Sequence, residues 1–231
     1  MQYIKGLDAF EGRNHTAVTL GKFDGLHRGH QKLLNRIIKY AQKEDCDSVV
    51  CAFDMNRDCL MTNEERRTFL EDKVDYLIEI PFTREMMEME AEKFIDEILH
   101  KKLHAAHIVV GTDFNFGHEK RGNHQMLEKY AAKYGYTVDV VEKAYYKDRE
   151  ISSTYIRELL LDGNVPLANE LLGYPYEITS VVEHGQQLGR TLGFPTMNLA
   201  PQEKKILPKY GVYACRVLWT VYGMAVWEMP E

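Results

Sequence analysis

The stretch Val18-Thr19-Leu20-Gly21-Lys22-Phe23-Asp24-Gly25-Leu26-His27-Arg28-Gly29-His30-Gln31 decides the fold of this 231-residue chain. It passes from a β-branched, apolar strand through a glycine-punctuated turn into an amphipathic helix. Such a turn at a helix N-terminus favours anions such as phosphate, because free backbone N–H groups and the helix dipole point towards it. His27 and His30 lie where this helix begins, so we expect chemistry on a phosphate and not binding alone.

Strand-like and helix-like segments alternate on both sides of this stretch, up to about residue 145. Apolar runs predict strands at residues 17–20, 48–53, 76–82, 107–111 and 137–144. Helical spacing predicts helices at residues 29–45, 64–72, 85–103 and 126–134. This order predicts an α/β fold with a Rossmann-like, mostly parallel sheet covered by helices, and ligands at the carboxyl ends of the strands.

The pattern changes after Glu150. Residues 152–161 and 165–172 read as two helices, each followed by a glycine that can end it. From Tyr174 onwards the chain is rich in turn residues, with candidate strands at 177–183, 212–218 and 220–226. We therefore expect a first domain over residues 1–173 and a second over 174–231, the latter small for an independent core.

Composition excludes several classes of protein. The net charge of −6 and the absence of a basic block give little support to nucleic-acid binding. The N-terminus lacks the apolar segment of a signal peptide, and no apolar run approaches the length of a membrane span. The four cysteines form no CxxC pair, which favours reduced thiols. We expect a cytoplasmic protein with small-molecule partners and neither nucleic acid nor membrane; the sequence does not indicate an oligomeric state.

His27 and His30 allow more than one interpretation. Imidazoles at this turn can donate hydrogen bonds to phosphate oxygens and stabilise charge in a transition state. Alternatively, one ring packs or caps the helix and the other is exposed. A zinc site would need further ligands, and none is adjacent in the sequence. The other histidine cluster, His100, His104 and His107, is more typical of a polar helix end and a following turn.

The nine residues Phe23-Asp24-Gly25-Leu26-His27-Arg28-Gly29-His30-Gln31 resemble the FDGxHxGHQ signature of the bacterial bifunctional riboflavin kinase/FAD synthetases. These enzymes are nucleotidylyltransferases with an HxGH motif. The resemblance implies that the two histidines contact ATP phosphates and that Asp24 shapes the turn or assists magnesium. The ATP-site residues that it implies in this stretch are Gly21, Phe23, Asp24 and Gly29.

Two further phrases of that family follow in the same order. Residues 110–117, VGTDFNFG, resemble its VGxDFxFG segment, which implies a flavin site at Asp113, Phe114, Asn115 and Phe116. These aromatics suit stacking on a planar ring, although they could equally fill the core. Residues 151–157, ISSTYIR, resemble the ISSTxIR segment and imply that Ser153, Thr154 and Arg157 close over the phosphates. Hydroxyls at a helix start with an arginine one turn later do form an anion cradle.

The second domain resembles a riboflavin kinase. Residues 189–199, GRTLGFPTMNL, are similar to the GRxLGFPTxN phrase, which implies a nucleotide loop at Gly189 and Arg190, with Thr196 and Asn198 holding Mg²⁺ and ATP phosphates. The likeness continues through residues 209–214 and 222–225 and then stops before the later strands and the catalytic acid. We therefore expect an incomplete antiparallel β-barrel without kinase activity, caused by a premature stop, a frameshift or a gene fragment.

The first domain also departs from the family pattern. Residues 52–57 read AFDMNR where the family has a TFxPHP-like phrase, and Glu150 precedes the ISST segment where basic residues are common. Both changes are expected to weaken phosphate contacts and lower the catalytic efficiency.

These observations lead to one principal hypothesis, an FMN adenylyltransferase. The chain would transfer AMP from ATP to FMN with Mg²⁺, giving FAD and pyrophosphate, while riboflavin is the acceptor of the kinase domain. Two alternatives stay open: another nucleotidylyltransferase on the same scaffold, and a non-catalytic nucleotide- or flavin-binding remnant.

Overall fold

The computed structural model describes residues 1–12, 15–54, 58–183, 185–186, 188–194, 196–219 and 224–229, without the side chains of 219 and 224–229. A six-stranded, wholly parallel sheet organises the first part of the chain. Its strands are β1 (Gln2–Lys5), β2 (Thr16–Gly21), β3 (Asp47–Phe53), β4 (Tyr76–Ile80), β5 (Ala105–Gly111) and β6 (Thr137–Val141). Their spatial order is β1-β4-β3-β2-β5-β6.

The central strands are buried on both faces because helices cover the sheet. Val18 and Val49 belong to one core cluster, and Ala17 and Val50 belong to another on the opposite face. This is the reason that parallel strands read as continuous apolar runs instead of alternating ones. The predicted parallel α/β sheet is confirmed.

Helices connect the strands and cover both faces of the sheet. The long helix α1 places Leu34 and Ile37 against the core, as its apolar spacing predicts. The helices are α1 (Arg28–Lys43), α2 (Asn63–Leu70), α3 (Arg84–Glu88), α4 (Ala91–Lys93), α5 (His124–Tyr134), α6 (Ser153–Asp162) and α7 (Val165–Leu172), and a π-helical segment, Phe94–Lys102, continues α4.

The single helix predicted over residues 85–103 is wrong. Met89 and Glu90 adopt extended backbone angles between α3 and α4. The carbonyl of Met89 accepts a hydrogen bond of 2.7 Å from the backbone N–H of His118. The left-handed Gly117 packs so closely on Ala91 that a Cβ atom there would lie 2.7 Å from the Ala91 Cα. This loop contact interrupts the helix, and local periodicity carries no sign of it.

The elements of the second part of the chain are β7 (Tyr176–Glu183), α8 (Leu188–Thr191), β8 (Asn198–Pro201), β9 (Arg216–Trp219) and β10 (Met224–Met229). The strands form a four-stranded antiparallel sheet in the order β8-β7-β10-β9. Two elements, β8 and the short helix α8, have no counterpart in the sequence prediction, and β9 begins four residues later than predicted. The predicted strand at 220–226 lies partly outside the described residues.

The two parts share a hydrophobic cluster. Tyr176, Ile178 and Ile206 of the second part pack with α6 and α7 residues such as Leu160 and Leu172. The boundary predicted at residue 173 coincides with the glycine that ends α7. The buried side chains on its two sides nevertheless belong to one hydrophobic cluster. None of the helices in the described ranges combines the length and the apolarity needed to cross a membrane.

Candidate active site

The turn between β2 and α1 lies at the carboxyl edge of the sheet and is held in an unusual backbone conformation. Phe23 and Leu26 both have positive φ angles, +47° and +37°, although neither is glycine. Both side chains are fully buried, which anchors the turn and compensates for the backbone strain. Gly25 has a φ angle of +81° and lies close to Leu60, because a Cβ atom added at Gly25 would be 2.8 Å from Leu60 Cδ1.

The two histidines lie side by side at the start of α1. The rings of His27 and His30 are stacked with centroids 3.8 Å apart, and Phe23 lies edge-on to His30 at 5.2 Å. Nδ1 of each ring is buried and has no hydrogen-bond partner among the described residues. Within the described residues, no partner on Nδ1 fixes the tautomer of either ring.

Both imidazoles are neutral at pH 7. Burial lowers the pKa of His27 to about 4. Burial, reinforced by the neighbouring His27, lowers the pKa of His30 well below its usual value. Each ring therefore carries one N–H donor and no charge, so the pair can offer an anion hydrogen bonds and dipoles but no positive charge.

The N-terminus of α6 meets the same turn. Ser152 caps this helix by accepting from the backbone N–H of Tyr155, and Ser153 Oγ donates to the carbonyl oxygen of Asp24 at 2.8 Å. A Cβ atom at Gly29 would lie 3.6 Å from the carbonyl oxygen of Ile151. Two helix N-termini thus converge on one place, and both favour an anion there.

Asp24 joins these elements. Its Oδ1 accepts from the backbone N–H groups of Leu60, at 2.7 Å, and Met61, at 3.3 Å, and its Oδ2 accepts from Arg157. The side chains of Arg157 and Asp24 are 17% and 11% exposed. Both carboxylate oxygens are engaged within the protein, so the donor set does not fit Asp24 as a magnesium ligand and supports its role in shaping the turn.

Metal ligands are sparse around the turn. The described residues contain no group of three or more His, Cys, Asp or Glu side chains able to hold a metal ion. A magnesium ion at this site would therefore depend on the phosphate oxygens of its nucleotide, as Mg²⁺ commonly does. The predicted ligands Thr196 and Asn198 lie in the second part of the chain. Thr196 lies close to the predicted loop residue Gly189, because a Cβ atom at that glycine would be 3.2 Å from Thr196 Oγ1.

The remaining predicted residues occupy varied surroundings. Phe116 is buried and packs on Phe94 and Phe114, with ring centroids 5.2 and 5.5 Å apart, while Asn115 is exposed. Thr154 is exposed on the first turn of α6. Gly21 is the last residue of β2, and Arg190 lies on the short helix α8.

Lys143, a residue that sequence reasoning missed, connects two of the predicted segments. Its Nζ lies 3.1 Å from Asp113 Oδ2 and 2.8 Å from Glu150 Oε2. The unusual Glu150 is therefore paired with a cation. In the sequence, the signal that could have identified Lys143 is its position shortly after the last strand of the sheet, where side chains reach the carboxyl edge.

A cleft of about 680 Å³ opens beside Asp24, and sequence reasoning missed it as well. Lys22, Arg66 and Arg67 line it from the first part of the chain, and residues 202–205 line it from the second. The Nε atoms of both arginines are buried without a partner in the described part of the chain. The altered residues 55–57 lie outside the described residues.

Gln31, the last residue of the opening stretch, has a structural role. Its Nε2 donates to the carbonyl oxygens of Leu26, at 2.8 Å, and Leu172, at 2.7 Å. One side-chain amide therefore fixes the histidine turn to the end of α7.

Comparison with known proteins gives a consistent result. The family model described as FAD synthetase matches residues 10–155, and the model described as riboflavin kinase matches residues 172–227. A protein of Buchnera aphidicola subsp. Schizaphis graminum named bifunctional riboflavin kinase/FMN adenylyltransferase is 35% identical over an alignment of 230 residues that covers 94% of this chain and 73% of the relative. A protein of Escherichia coli K12 with the same name is 36% identical over an alignment of 212 residues that covers 87% of this chain and 67% of the relative.

A solved structure supports the same arrangement of elements. A chain titled macrolide-efflux protein from Streptococcus pneumoniae superposes with a TM-score of 0.81 at 28% identity. The superposition covers 99% of this chain and 84% of that one. The likeness therefore extends over both sheets.

Proposed function

Because this chain belongs to the family of bifunctional riboflavin kinase/FMN adenylyltransferases, we propose that the turn around His27 and His30 transfers AMP from ATP to FMN. A phosphate oxygen of FMN attacks the α-phosphorus of ATP, the bond to the β-phosphate oxygen breaks, and FAD and pyrophosphate leave. The FMN phosphate is already an anion, so the reaction needs no general base. The protein has to align the two phosphates and stabilise the developing charge.

The single observation that carries this proposal is the pair of stacked, neutral rings at the point where the N-termini of α1 and α6 converge. His27 and His30 would donate hydrogen bonds to the triphosphate between the N-termini of α1 and α6. Arg157 would supply the positive charge, held in place by Asp24. Magnesium, when bound with ATP, neutralises phosphate charge.

The flavin has two candidate places beside this cradle. The resemblance assigns it to Asp113–Phe116, and the structure offers the cleft next to Asp24, whose lining mixes cations with carboxylates. Substitution of one residue in each place separates them. Asn115→Ala raises the KM for FMN if the loop binds the flavin, and Arg67→Ala raises it if the cleft does.

The direct test is incubation of the purified chain with ATP, FMN and magnesium, followed by chromatography for FAD and an assay for pyrophosphate. Equal amounts of the two products are expected. A parallel reaction with riboflavin instead of FMN reports kinase chemistry separately. Binding of ATP and FMN without FAD formation would favour a non-catalytic protein, and transfer only to another acceptor would favour a different nucleotidylyltransferase.

A further inference from the structure

The second part of the chain reaches the wall of the candidate site through residues 204–206. The backbone N–H of Cys59 donates to the carbonyl oxygen of Lys204 at 2.8 Å, and that of Ile206 donates to the carbonyl oxygen of Cys59 at 3.0 Å. These bonds form a parallel β-bridge between Cys59 and Lys205. The bridge carries the Lys205 side chain into the interior, where the residue is only 8% exposed.

Lys205 has three neighbours there. Its Nζ donates to Glu65 Oε2 at 2.6 Å and to the carbonyl oxygen of Leu60 at 2.8 Å, and it lies 4.4 Å from the centre of the Tyr176 ring. Glu65 is also buried, and its carboxylate accepts from the backbone N–H groups of Thr62 and Thr179. A buried lysine needs such partners, because an uncompensated ammonium group in the interior is costly.

The backbone of a single residue, Leu60, links Lys205 to Asp24. The carbonyl group of Leu60 accepts from Lys205, and the backbone N–H of the same residue donates to Asp24 Oδ1 at 2.7 Å. Oδ2 of Asp24 accepts from Arg157. A polar path of three links thus runs from the second part of the chain to the arginine of the phosphate cradle.

We propose that Lys205 is a positioning residue for adenylyl transfer. It fixes the backbone at Leu60, the N–H of that residue fixes Asp24, and Asp24 orients Arg157 towards the phosphates. The inference rests on the function proposed above. It implies that the kinase-like part contributes to FAD formation through this contact, independently of any chemistry of its own.

The test compares Lys205→Met with the double variant Lys205→Met/Glu65→Gln, both in the full chain. The single variant leaves Glu65 buried without its cation, so it should lower the melting temperature and confound the rate. The double variant removes both charges of a buried pair, a change that is often tolerated. Its melting temperature should lie between those of the single variant and the wild type, because glutamine keeps only one acceptor oxygen for the N–H groups of Thr62 and Thr179. The Leu60 carbonyl still lacks its donor in this variant.

For the double variant we expect kcat for FAD formation to fall roughly 10- to 100-fold, as for a small misplacement of a reacting group. The KM for ATP should change less than about threefold, since the interaction acts mainly in the transition state. The matched control is Asp96→Asn/Lys101→Met, which removes a solvent-accessible carboxylate–lysine pair within the segment Phe94–Lys102. It should leave both constants at their wild-type values.

A second measurement does not depend on catalysis. In ¹⁵N NMR, the guanidinium of Arg157, assigned with Arg157→Lys, should show restricted rotation in the wild type and averaged signals in the double variant. Wild-type kcat together with an unchanged Arg157 signal in the double variant overturns the role of Lys205. If the wild type itself forms no FAD, the proposed function fails, and the NMR comparison still decides whether Lys205 positions Arg157.

Discussion

Asp24 and Arg157 are 133 residues apart in the sequence and form an ion pair in the wall of the candidate site. Asp24 comes from the turn after β2, and Arg157 from α6, which follows the last strand of the sheet. The other oxygen of Asp24 holds the amides of Leu60 and Met61. This carboxylate therefore fixes three segments relative to one another, and a loss of its charge should affect both stability and catalysis.

Asp24→Asn tests that role. An amide keeps an acceptor for the backbone N–H groups but loses the charge opposite Arg157, which stays largely buried. We expect the free energy of unfolding to fall by about 3 kcal/mol, the usual cost of breaking a buried pair on one side. Urea denaturation measures this loss, and the FAD assay should show a lower kcat in parallel. Glu88→Gln, which removes an exposed pair with Arg84, is the control and should cost no more than about 0.5 kcal/mol.

His30→Ala tests the phosphate cradle. Removal of a donor that stabilises transition-state charge typically lowers the rate on the order of 100- to 1000-fold. We expect that loss in kcat/KM for FAD formation, with a circular dichroism spectrum like that of the wild type. His15→Ala, at an exposed histidine outside the cradle, should have no effect. A rate within a few-fold of wild type in His30→Ala would contradict the assignment.

Gly29→Ala separates catalysis from stability at the start of α1. The new Cβ would lie 3.0 Å from Cε1 and 3.1 Å from Nδ1 of His27, so the imidazole must shift by a few tenths of an ångström. Alanine favours the helix over glycine by roughly 0.5–1 kcal/mol, which offsets part of that strain. We expect kcat to fall about tenfold, since small misplacements of reacting groups are costly. The melting temperature should hardly change, and a large drop would show that Gly29 serves the fold instead.

The low pKa of His27 predicts how stability depends on pH. The folded chain holds this ring neutral down to about pH 4, whereas the unfolded chain takes up a proton near pH 6.5. The unfolded state therefore gains protons first, and stability is lost as the pH falls from about 6.5 to about 4. The loss attributable to His27 is up to about 3 kcal/mol.

His27→Gln isolates this contribution, because glutamine does not titrate. Urea denaturation at pH 7 and at pH 4.5 should give a smaller difference for the variant than for the wild type. Equal differences in the two proteins would mean that the His27 ring titrates normally in the folded state.

Much of the fold could be predicted from the sequence because the signals are local. The buried parallel strands appear as continuous apolar runs, and α1 appears through the spacing of Leu34 and Ile37. Gly163 and Gly173 mark the ends of α6 and α7, where both adopt the left-handed conformation. The interrupted helix before Phe94 could not be predicted, since its cause is a contact with Gly117, a loop residue beyond the next strand.

The candidate site was predictable only in part, for the same reason. The motif around His27 and His30 is contiguous, so its residue types and spacing identify it. The partners of Asp24 come from distant segments, and so do Lys143 and Lys205. Burial of Phe116 against Phe94 is likewise a tertiary property, and the sequence left its two interpretations open.

The hydrophobic cluster shared by the two parts of the chain limits where the polypeptide can be shortened. A fragment that ends at Gly173 would expose Leu160 and Leu172 of the paired helices to water, because Tyr176 and Ile206 cover that cluster. It would also remove the lysine that neutralises Glu65. Expression of the nucleotide-binding part alone should therefore give an aggregation-prone product, and a design for a minimal enzyme has to retain the chain at least through Ile206.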